Sequence, residues 1–338
     1  MPETHGKIKT PGTHRKVVGR AHSRRRLAVL AAAITCCTSL EAVGAVSAAA
    51  VTTGGNRVAF IVYQPAVTPF VDVMVKSTQQ HAKADGIALT TEFVKTNPQA
   101  IGDIKQFQIE GFPVMIVWAE DPGSWSAAIN AAEAKGVKVL DLNLHLASTT
   151  HFYSYIGDND YTYGYLEGKL TVDALHGHGE VALADGTLGD SAQILRTAGF
   201  KAYIKKFPGI HLVSVEQDNW VSSEDLSLTE DWVIKYPKLN AIVAEGPQIT
   251  AAAQWAHTHG HANIVFIAGD YPTAVQTAIE KGWVYGTVDQ NPVLEGKDVM
   301  QAAKWLLTGE GSKVPRPNWY IRLPLVTAAN VHTILPTW

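Results

Sequence analysis

Cysteine is nearly absent from this chain of 338 residues. The two that occur, Cys36 and Cys37, are adjacent and lie near the N-terminus. From residue 38 onward the chain can therefore form no disulfide, offer no thiolate to a metal and use no cysteine nucleophile. Its stability must come from a hydrophobic core, which a chain of this length can build.

Long apolar runs are also scarce. The run at 27–34 is too short to span a bilayer, which takes roughly 20 apolar residues. It follows Arg24-Arg25-Arg26 and precedes the small residues at 47–50. This order is typical of a secretory leader, so we predict a signal peptide over residues 1–50 and a periplasmic protein.

Two other interpretations of the leader stay open. The arginines partly resemble a twin-arginine signal, so export could use either the Sec or the twin-arginine route. Cys36 could be a lipid attachment site, although Thr35 before it is a poor match to the small residue that such processing prefers.

Positive charge becomes scarce once the leader is set aside. Residues 1–50 hold eight Lys or Arg and two Asp or Glu, which leaves 20 basic and 29 acidic residues and a net charge of −9. Nucleic-acid binding takes its affinity from Lys and Arg at phosphates, so we expect no nucleic-acid partner.

Common enzyme motifs are absent as well. The chain has no G-x-G-x-x-G after its first predicted strand, no Walker loop, no G-x-S-x-G and no H-E-x-x-H. We predict no enzyme activity and no cofactor. His257, His259 and His261 could hold zinc or copper, but basic groups near a helix C-terminus are ordinary, and we predict no metal.

What the chain does contain is a regular alternation of short apolar runs with segments whose apolar residues recur three and four apart. This pattern predicts an α/β fold with parallel sheets, and each of four helices ends at a glycine before the next strand. The nine predicted strands suit two sheets, with one large sheet as the alternative. They are 58–63, 87–94, 113–118, 137–142, 180–184, 212–215, 241–244, 264–268 and 284–288.

An ordered set of segments resembles the sugar-type periplasmic binding proteins, the family of ribose-binding protein. The resemblance runs from about Val58 to Val331. The segments are the first strand with Thr68-Pro69-Phe70, Tyr155-Ile156-Gly157-Asp158-Asn159, Gly189 to Phe200, Gly269-Asp270, Lys281 to Pro292 with Gly296, and Pro324 to Thr327.

The resemblance implies a periplasmic binding protein type I fold: two similar, doubly wound parallel-sheet lobes joined by three crossing segments. Lobe one is expected at 55–157 plus 291–321, and lobe two at 158–290 plus 322–338. A small ligand is expected in the cleft between them, at the carboxyl ends of strands from both sheets. Binding then favours the closed arrangement, because only closure offers contacts from both sides.

Ligand-binding residues can be carried over position by position. Phe70 and Trp220 match aromatic residues that stack on the ligand, while Asp270 and Gln290 match residues that bind hydroxyls. Trp118 replaces a family asparagine, Asn143 stands where an aspartate is usual, and Glu245 precedes a position that is often asparagine. The predicted site is Phe70, Trp118, Asn143, Trp220, Glu245, Asp270 and Gln290.

Some positions depart from the family pattern. Two arginines common among its sugar binders are replaced by Leu144 and Ile194. The loss of two guanidinium groups and the gain of indole favour a smaller, more apolar or even cationic ligand. The Asx residues at 158–160 are expected to cap a helix rather than to contact the ligand.

The sequence therefore predicts an exported solute-binding protein of an ABC importer that takes a sugar, polyol or similar small ligand and serves a membrane permease. The alternative is a periplasmic sensory protein that presents a small ligand, such as an alkylamine, to a membrane histidine kinase. A DNA-binding regulator of the same fold would carry a helix-turn-helix before Val58, where this chain has a leader.

Overall fold

The computed structural model describes residues 55–64 and 68–338, so the predicted signal peptide and both cysteines lie outside the described residues. Within them the chain forms two six-stranded sheets, which excludes the single large sheet. Each sheet with its helices is called a lobe below. None of the described helices combines the length and apolarity that a membrane span needs.

Lobe one contains six strands, all parallel, in the order β11-β5-β4-β3-β1-β2. Its elements are β1 (Arg57–Tyr63), α1 (Pro69–Ala84), β2 (Ala88–Val94), α2 (Asn97–Ile109), β3 (Val114–Trp118), α3 (Ser126–Ala134), β4 (Lys138–Leu142), β5 (Ser154–Gly157), α9 (Pro292–Leu307) and β11 (Asn318–Tyr320).

Lobe two repeats this plan with the order β12-β10-β9-β8-β6-β7, in which β12 is antiparallel to β10. Its elements are α4 (Asp160–Ala174), β6 (Gly179–Asp185), α5 (Ser191–Ile204), β7 (Ile210–Gln217), α6 (Ser222–Lys235), β8 (Leu239–Ala244), α7 (Thr250–Thr258), β9 (Val265–Gly269), α8 (Thr273–Glu280), β10 (Gly286–Val288) and β12 (Leu325–Thr327). Short 3₁₀ turns lie at Pro247–Ile249 and Gly311–Lys313.

Each sheet is covered by helices on both faces. In lobe one, α1 and α9 pack on one face and α2 and α3 on the other. In lobe two, α4 and α5 cover one face and α6, α7 and α8 the opposite one. Central strands are therefore buried on both sides, which explains why they read as continuous apolar runs rather than as alternating ones.

The chain crosses between the sheets three times: between β5 and α4, between β10 and α9, and between β11 and β12. The two α/β sheets predicted from the alternation and the two-lobed arrangement implied by the resemblance are thus confirmed. The four glycines predicted to end helices, Gly86, Gly136, Gly260 and Gly282, have φ between 65° and 95°. This left-handed conformation ends a helix at little cost only for glycine.

Candidate functional site

The predicted residues gather where strands of both sheets end. Trp118 closes β3, and Asn143 follows β4 in lobe one. Glu245 and Asp270 follow β8 and β9 in lobe two, while Gln290 lies in the crossing segment after β10. Parallel strands end at the same edge of a sheet, so these positions share the edges that face the cleft.

On the lobe-one side, Trp118 and Asn143 form a pair. The indole Nε1 of Trp118 donates to Oδ1 of Asn143 over 2.9 Å. The Asn143 amide in turn donates to Oε1 of the buried Glu295 over 3.4 Å. Burial raises the pKa of Glu295 to about 8, against the opposing effect of the amides of Gln290 and Asn143. The Glu295 carboxyl, which keeps its proton at neutral pH, therefore helps to hold the Trp118–Asn143 pair in place.

Gln290 is fully engaged by protein groups. Its Oε1 accepts from Nη2 of Arg196 at 2.6 Å, and its Nε2 donates to Oδ1 of Asp158 at 3.0 Å and Oε1 of Glu295 at 2.8 Å. Because Asp158 lies just after β5, this side chain joins two crossing segments.

Arg196 on α5 lies at the centre of the buried network. Its Nε donates to Oδ1 of Asp160 over 2.8 Å, and its Nη1 donates to the carbonyl oxygen of Glu245 over 2.8 Å. The guanidinium also stacks on the Tyr163 ring at 3.7 Å and lies 3.7 Å from Oδ2 of Asp158. A planar, five-donor cation suits such a cluster better than an ammonium group does.

Arg196 was not among the predicted site residues, because the family arginine was matched to Ile194 instead. Ile194 is exposed, whereas Arg196 is 5% exposed. A signal was present: Ala192, Arg196 and Phe200 recur four apart, which places a charge on the buried face of α5. A charged residue on such a face needs a partner, and its partners lie in the crossing segments.

The Asx residues at 158–160 divide their roles. Asn159 caps α4 by accepting from the backbone N–H of Thr162 at 2.9 Å, as predicted for the group. Asp158 and Asp160 instead pair with Arg196.

Asp270 follows β9 in a left-handed backbone conformation with φ of 53°. Its Oδ1 accepts from the Tyr163 hydroxyl at 3.0 Å, and its own N–H donates to that hydroxyl at 2.6 Å. Burial raises the pKa of this carboxyl to about 7, although Arg196 and the Tyr163 hydroxyl oppose the shift. No hydrogen bond from any described residue reaches Oδ2, so this oxygen remains for another partner.

Trp220 lies in a turn before α6 with φ of 60°. Its indole N–H donates to Oδ2 of Asp190 over 3.0 Å, and its ring packs on Gly186. A Cβ built on Gly186 would lie 1.8 Å from Cζ2 of the indole, so only glycine fits there. Asp190 also caps α5 at the Gln193 N–H, and burial raises its pKa to about 6.

Glu245 is completely buried behind these residues. Its Oε1 accepts from the Thr197 hydroxyl at 2.7 Å, and Oε2 accepts from the Gly186 N–H at 3.4 Å. Burial, followed by the charge of Glu167, raises its pKa well above the usual range.

Phe70 stands at the start of α1 and packs partly on the lobe-one core. Its ring meets the Trp338 ring edge-on, with centroids 5.6 Å apart. A second contact between the lobes lies at His145, whose N–H donates to Oγ of Ser191 at 2.8 Å.

The histidines considered as metal ligands lie in α7 and just after it, outside the buried network around Arg196. His259 and His261 stack on Trp255 at the end of α7, with ring centroids 5.0 and 5.7 Å away. Across residues 55–64 and 68–338, no group of three or more His, Cys, Asp and Glu side chains is placed to hold a metal ion.

Comparison with known proteins identifies the family. The sequence profile of the periplasmic binding protein domain matches residues 58–311. The chain belongs to the periplasmic binding protein family. This assignment confirms the resemblance found in the sequence, and the family is one of binding proteins.

Individual relatives are distant. The chain is 24% identical over 309 residues to the xylitol-binding protein of Mycolicibacterium smegmatis, spanning 90% of this chain and 86% of that protein. A solved ABC transporter periplasmic solute-binding protein from Actinobacillus succinogenes with bound D-allose aligns with a TM-score of 0.74 at 20% identity, covering 82% and 99% of the two chains. The fructose-binding periplasmic domain of a hybrid two-component system aligns with a TM-score of 0.72 at 21% identity, covering 82% and 92%. The two structural alignments support the fold alone.

Proposed function

We propose that this protein is the exported solute-binding component of an ABC importer and that it closes on a sugar or polyol between its lobes. The observation that supports the proposal is a hydrogen-bond network at the strand ends of both lobes, which runs from Trp118 and Asn143 through Glu295 and Gln290 to Arg196, in a chain of the periplasmic binding protein family. We take the lobe limits as 55–157 plus 291–321 and 158–290 plus 322–338. A membrane permease would receive the ligand.

The chemistry of the cleft favours a ligand rich in hydroxyl groups. Carboxyl groups predominate around Arg196, and Oδ2 of Asp270 has no hydrogen-bond donor among the described residues. A polyol hydroxyl donates to such an oxygen, while its C–H faces pack on aromatic rings. The similarity to a xylitol-binding protein supports the same class of ligand.

We further propose a division of roles within the predicted site. Phe70, Trp118, Trp220 and Asp270 contact the ligand, since each offers a ring face or an unused oxygen. Asn143, Glu245 and Gln290 position these groups, because their polar atoms already bind protein partners.

Backbone strain supports the location of this site. Asn143, Trp220 and Asp270 have φ of 67°, 60° and 53°. Such conformations cost on the order of 1–3 kcal/mol each and cluster at functional sites. Three of the seven predicted residues are thus among the five described non-glycine residues with positive φ.

The proposal is tested by titrating purified protein with xylitol, D-allose, D-ribose, myo-inositol and choline, using calorimetry and thermal unfolding. We expect a polyol or sugar to bind, and ligand at about 100 times its Kd to add about 2.7 kcal/mol to the free energy of unfolding. Asp270→Asn should weaken that binding about 10-fold to 100-fold by replacing a charged acceptor. Asp173→Asn, on the exposed side of α4, is the matched control.

Binding of choline alone would contradict the polyol assignment. If the Asp270→Asn and wild-type proteins bound the ligand with equal affinity, Asp270 would not be a ligand-binding residue.

The second candidate function is sensing. The likeness to a fructose-binding domain of a two-component system motivates it. In a strain without this gene, importer function predicts loss of uptake of the labelled ligand, whereas sensor function predicts normal uptake and loss of the transcriptional response to that ligand.

A further inference from the structure

The chain segment after β12 folds back over lobe two and returns to the cleft. Val331 accepts from the Tyr271 hydroxyl at 3.0 Å, and Ile334 packs against the lobe-two core. The backbone carbonyl of Trp338 then accepts from both N and Oγ1 of Thr273, at 2.8 and 3.1 Å. Thr273 lies three residues after Asp270 in the sequence, so this segment is anchored to the start of α8, which follows a predicted ligand residue.

The ring of Trp338 reaches across to lobe one. It meets Phe70 with ring centroids 5.6 Å apart and an interplanar angle of 81°. Phe70 is itself a predicted ligand contact and belongs to the lobe-one core. Trp338 is therefore bonded to lobe two through its backbone and packed on lobe one through its side chain.

The indole N–H of Trp338 is the unusual feature of this contact. Its Nε1 is buried, and it has no hydrogen-bond partner among the described residues. The other two cleft indoles are satisfied: Trp118 donates to Asn143, and Trp220 donates to Asp190. Buried indole N–H groups normally find an acceptor, so this one is available to a molecule held in the cleft.

The chemistry of the neighbouring groups fits a hydroxylated ligand. A sugar or polyol oxygen both donates and accepts hydrogen bonds, while ionised carboxylate oxygens, such as Oδ2 of Asp270 when that group is charged, only accept. A ligand bonded through its hydroxyl protons to these acceptors still needs donors for its oxygens. The Trp338 N–H can supply one at the Phe70 side of the cleft.

We propose that Trp338 is a ligand-binding residue, which completes the cleft on closure by packing its ring on Phe70 and donating its indole N–H to a ligand oxygen. This inference rests on the proposed function, since it requires a ligand between the lobes. It adds a donor from a segment that the sequence comparison did not place in the site.

The test compares Trp338→Phe, Trp338→Ala and the control Leu335→Ala by calorimetry with the best polyol or sugar. Trp338→Phe keeps an aromatic ring and loses only the N–H, so we expect affinity to fall about tenfold. Trp338→Ala should weaken binding further. Leu335 is 68% exposed on the same segment, and its replacement should leave affinity unchanged.

A second measurement follows the indole N–H directly. In nitrogen-15 NMR spectra, the Trp338 indole resonance is assigned by its absence from Trp338→Phe protein. We expect ligand to shift this resonance and to slow its exchange with solvent. Wild-type affinity in Trp338→Phe, or a resonance that ligand leaves unchanged, would overturn the inference while the proposed function stands. Failure of wild-type protein to bind any sugar or polyol would instead reject the proposed function.

Discussion

Arg196 of α5 donates to Gln290 over 2.6 Å, and this bond ties a lobe-two helix to the segment in which the chain crosses into lobe one. Gln290 donates in turn to Asp158, in the crossing between β5 and α4. Two of the three crossings thus share one buried network. In the proposed function, lobe closure would bend these crossings, so we expect this network to set the geometry about which the lobes close.

The network makes Arg196 important for stability. Arg196→Met leaves Asp158 and Asp160 buried without their cation, and loss of one partner of a buried ion pair costs about 3–5 kcal/mol. We expect that loss in the free energy of unfolding measured with urea. Lys169→Met is the control, because the Lys169–Asp173 pair is exposed and contributes about 0–1 kcal/mol. Similar losses in both variants would contradict the proposed importance of the network.

The sequence was sufficient to predict nine of the twelve described strands, whereas the short strands β5, β11 and β12 were not among the predicted runs. Apolar runs mark strands buried on both faces, and the glycines that end four helices can be read directly from the sequence. Periodicity also contained the clue to Arg196, which lies in register with Ala192 and Phe200. These are local properties, so a short stretch of sequence is enough to predict each of them.

Other features could not be predicted because they depend on distant contacts. The positive φ of Trp220 is unusual for its residue type, whereas asparagine adopts the φ of Asn143 more readily, and a short window of sequence specifies neither. The position of Trp338 depends on a bond to Thr273, 65 residues earlier, and on a ring in the other lobe. Whether a polar side chain is free or engaged, as for Gln290, depends in the same way on three-dimensional partners.

Gly186 fixes the position of Trp220. Gly186→Ala places a methyl group 1.8 Å from the indole and should displace the ring, which weakens ligand binding and costs about 1–3 kcal/mol of stability. Gly102→Ala is the matched control, because a Cβ there meets nothing within 4 Å and the residue lies inside α2. That change should be neutral or stabilising by up to about 1 kcal/mol. Calorimetry and urea unfolding measure both effects; unaltered ligand affinity in Gly186→Ala would show that the ring is not part of the site.

The carboxyl of Asp270 gives stability a defined dependence on pH. Its pKa rises from 3.8 to about 7 in the folded protein, so between these values the folded state holds a proton that the unfolded state has lost. Its stabilising contribution is complete below pH 4 and disappears as pH rises through 7, with a slope of up to about 1.4 kcal/mol per pH unit.

Asp270→Asn removes this titration. The difference in unfolding free energy between wild type and variant should fall from pH 4.5 to pH 7 and then level off. Urea unfolding at several pH values measures it, with Asp173→Asn, on the exposed side of α4, as the comparison variant. If the difference in unfolding free energy between wild type and Asp270→Asn did not change with pH, the carboxyl of Asp270 would be ionised over the whole pH range.

Glu120 and Asp190 bring two carboxyl groups toward each other from opposite lobes. Burial and, after it, the charge of Asp190 raise the pKa of Glu120, and burial raises that of Asp190 to about 6. Charge on both groups would oppose closure, and Asp190 loses its proton as the pH rises through about 6. Glu120→Gln should therefore strengthen ligand binding about twofold to fivefold at pH 8, as expected for a partly exposed charge pair, and have less effect at pH 5. Glu92→Gln, on the exposed side of β2, is the control. Weaker binding by Glu120→Gln at both pH values would show instead that Glu120 accepts a hydrogen bond from the ligand.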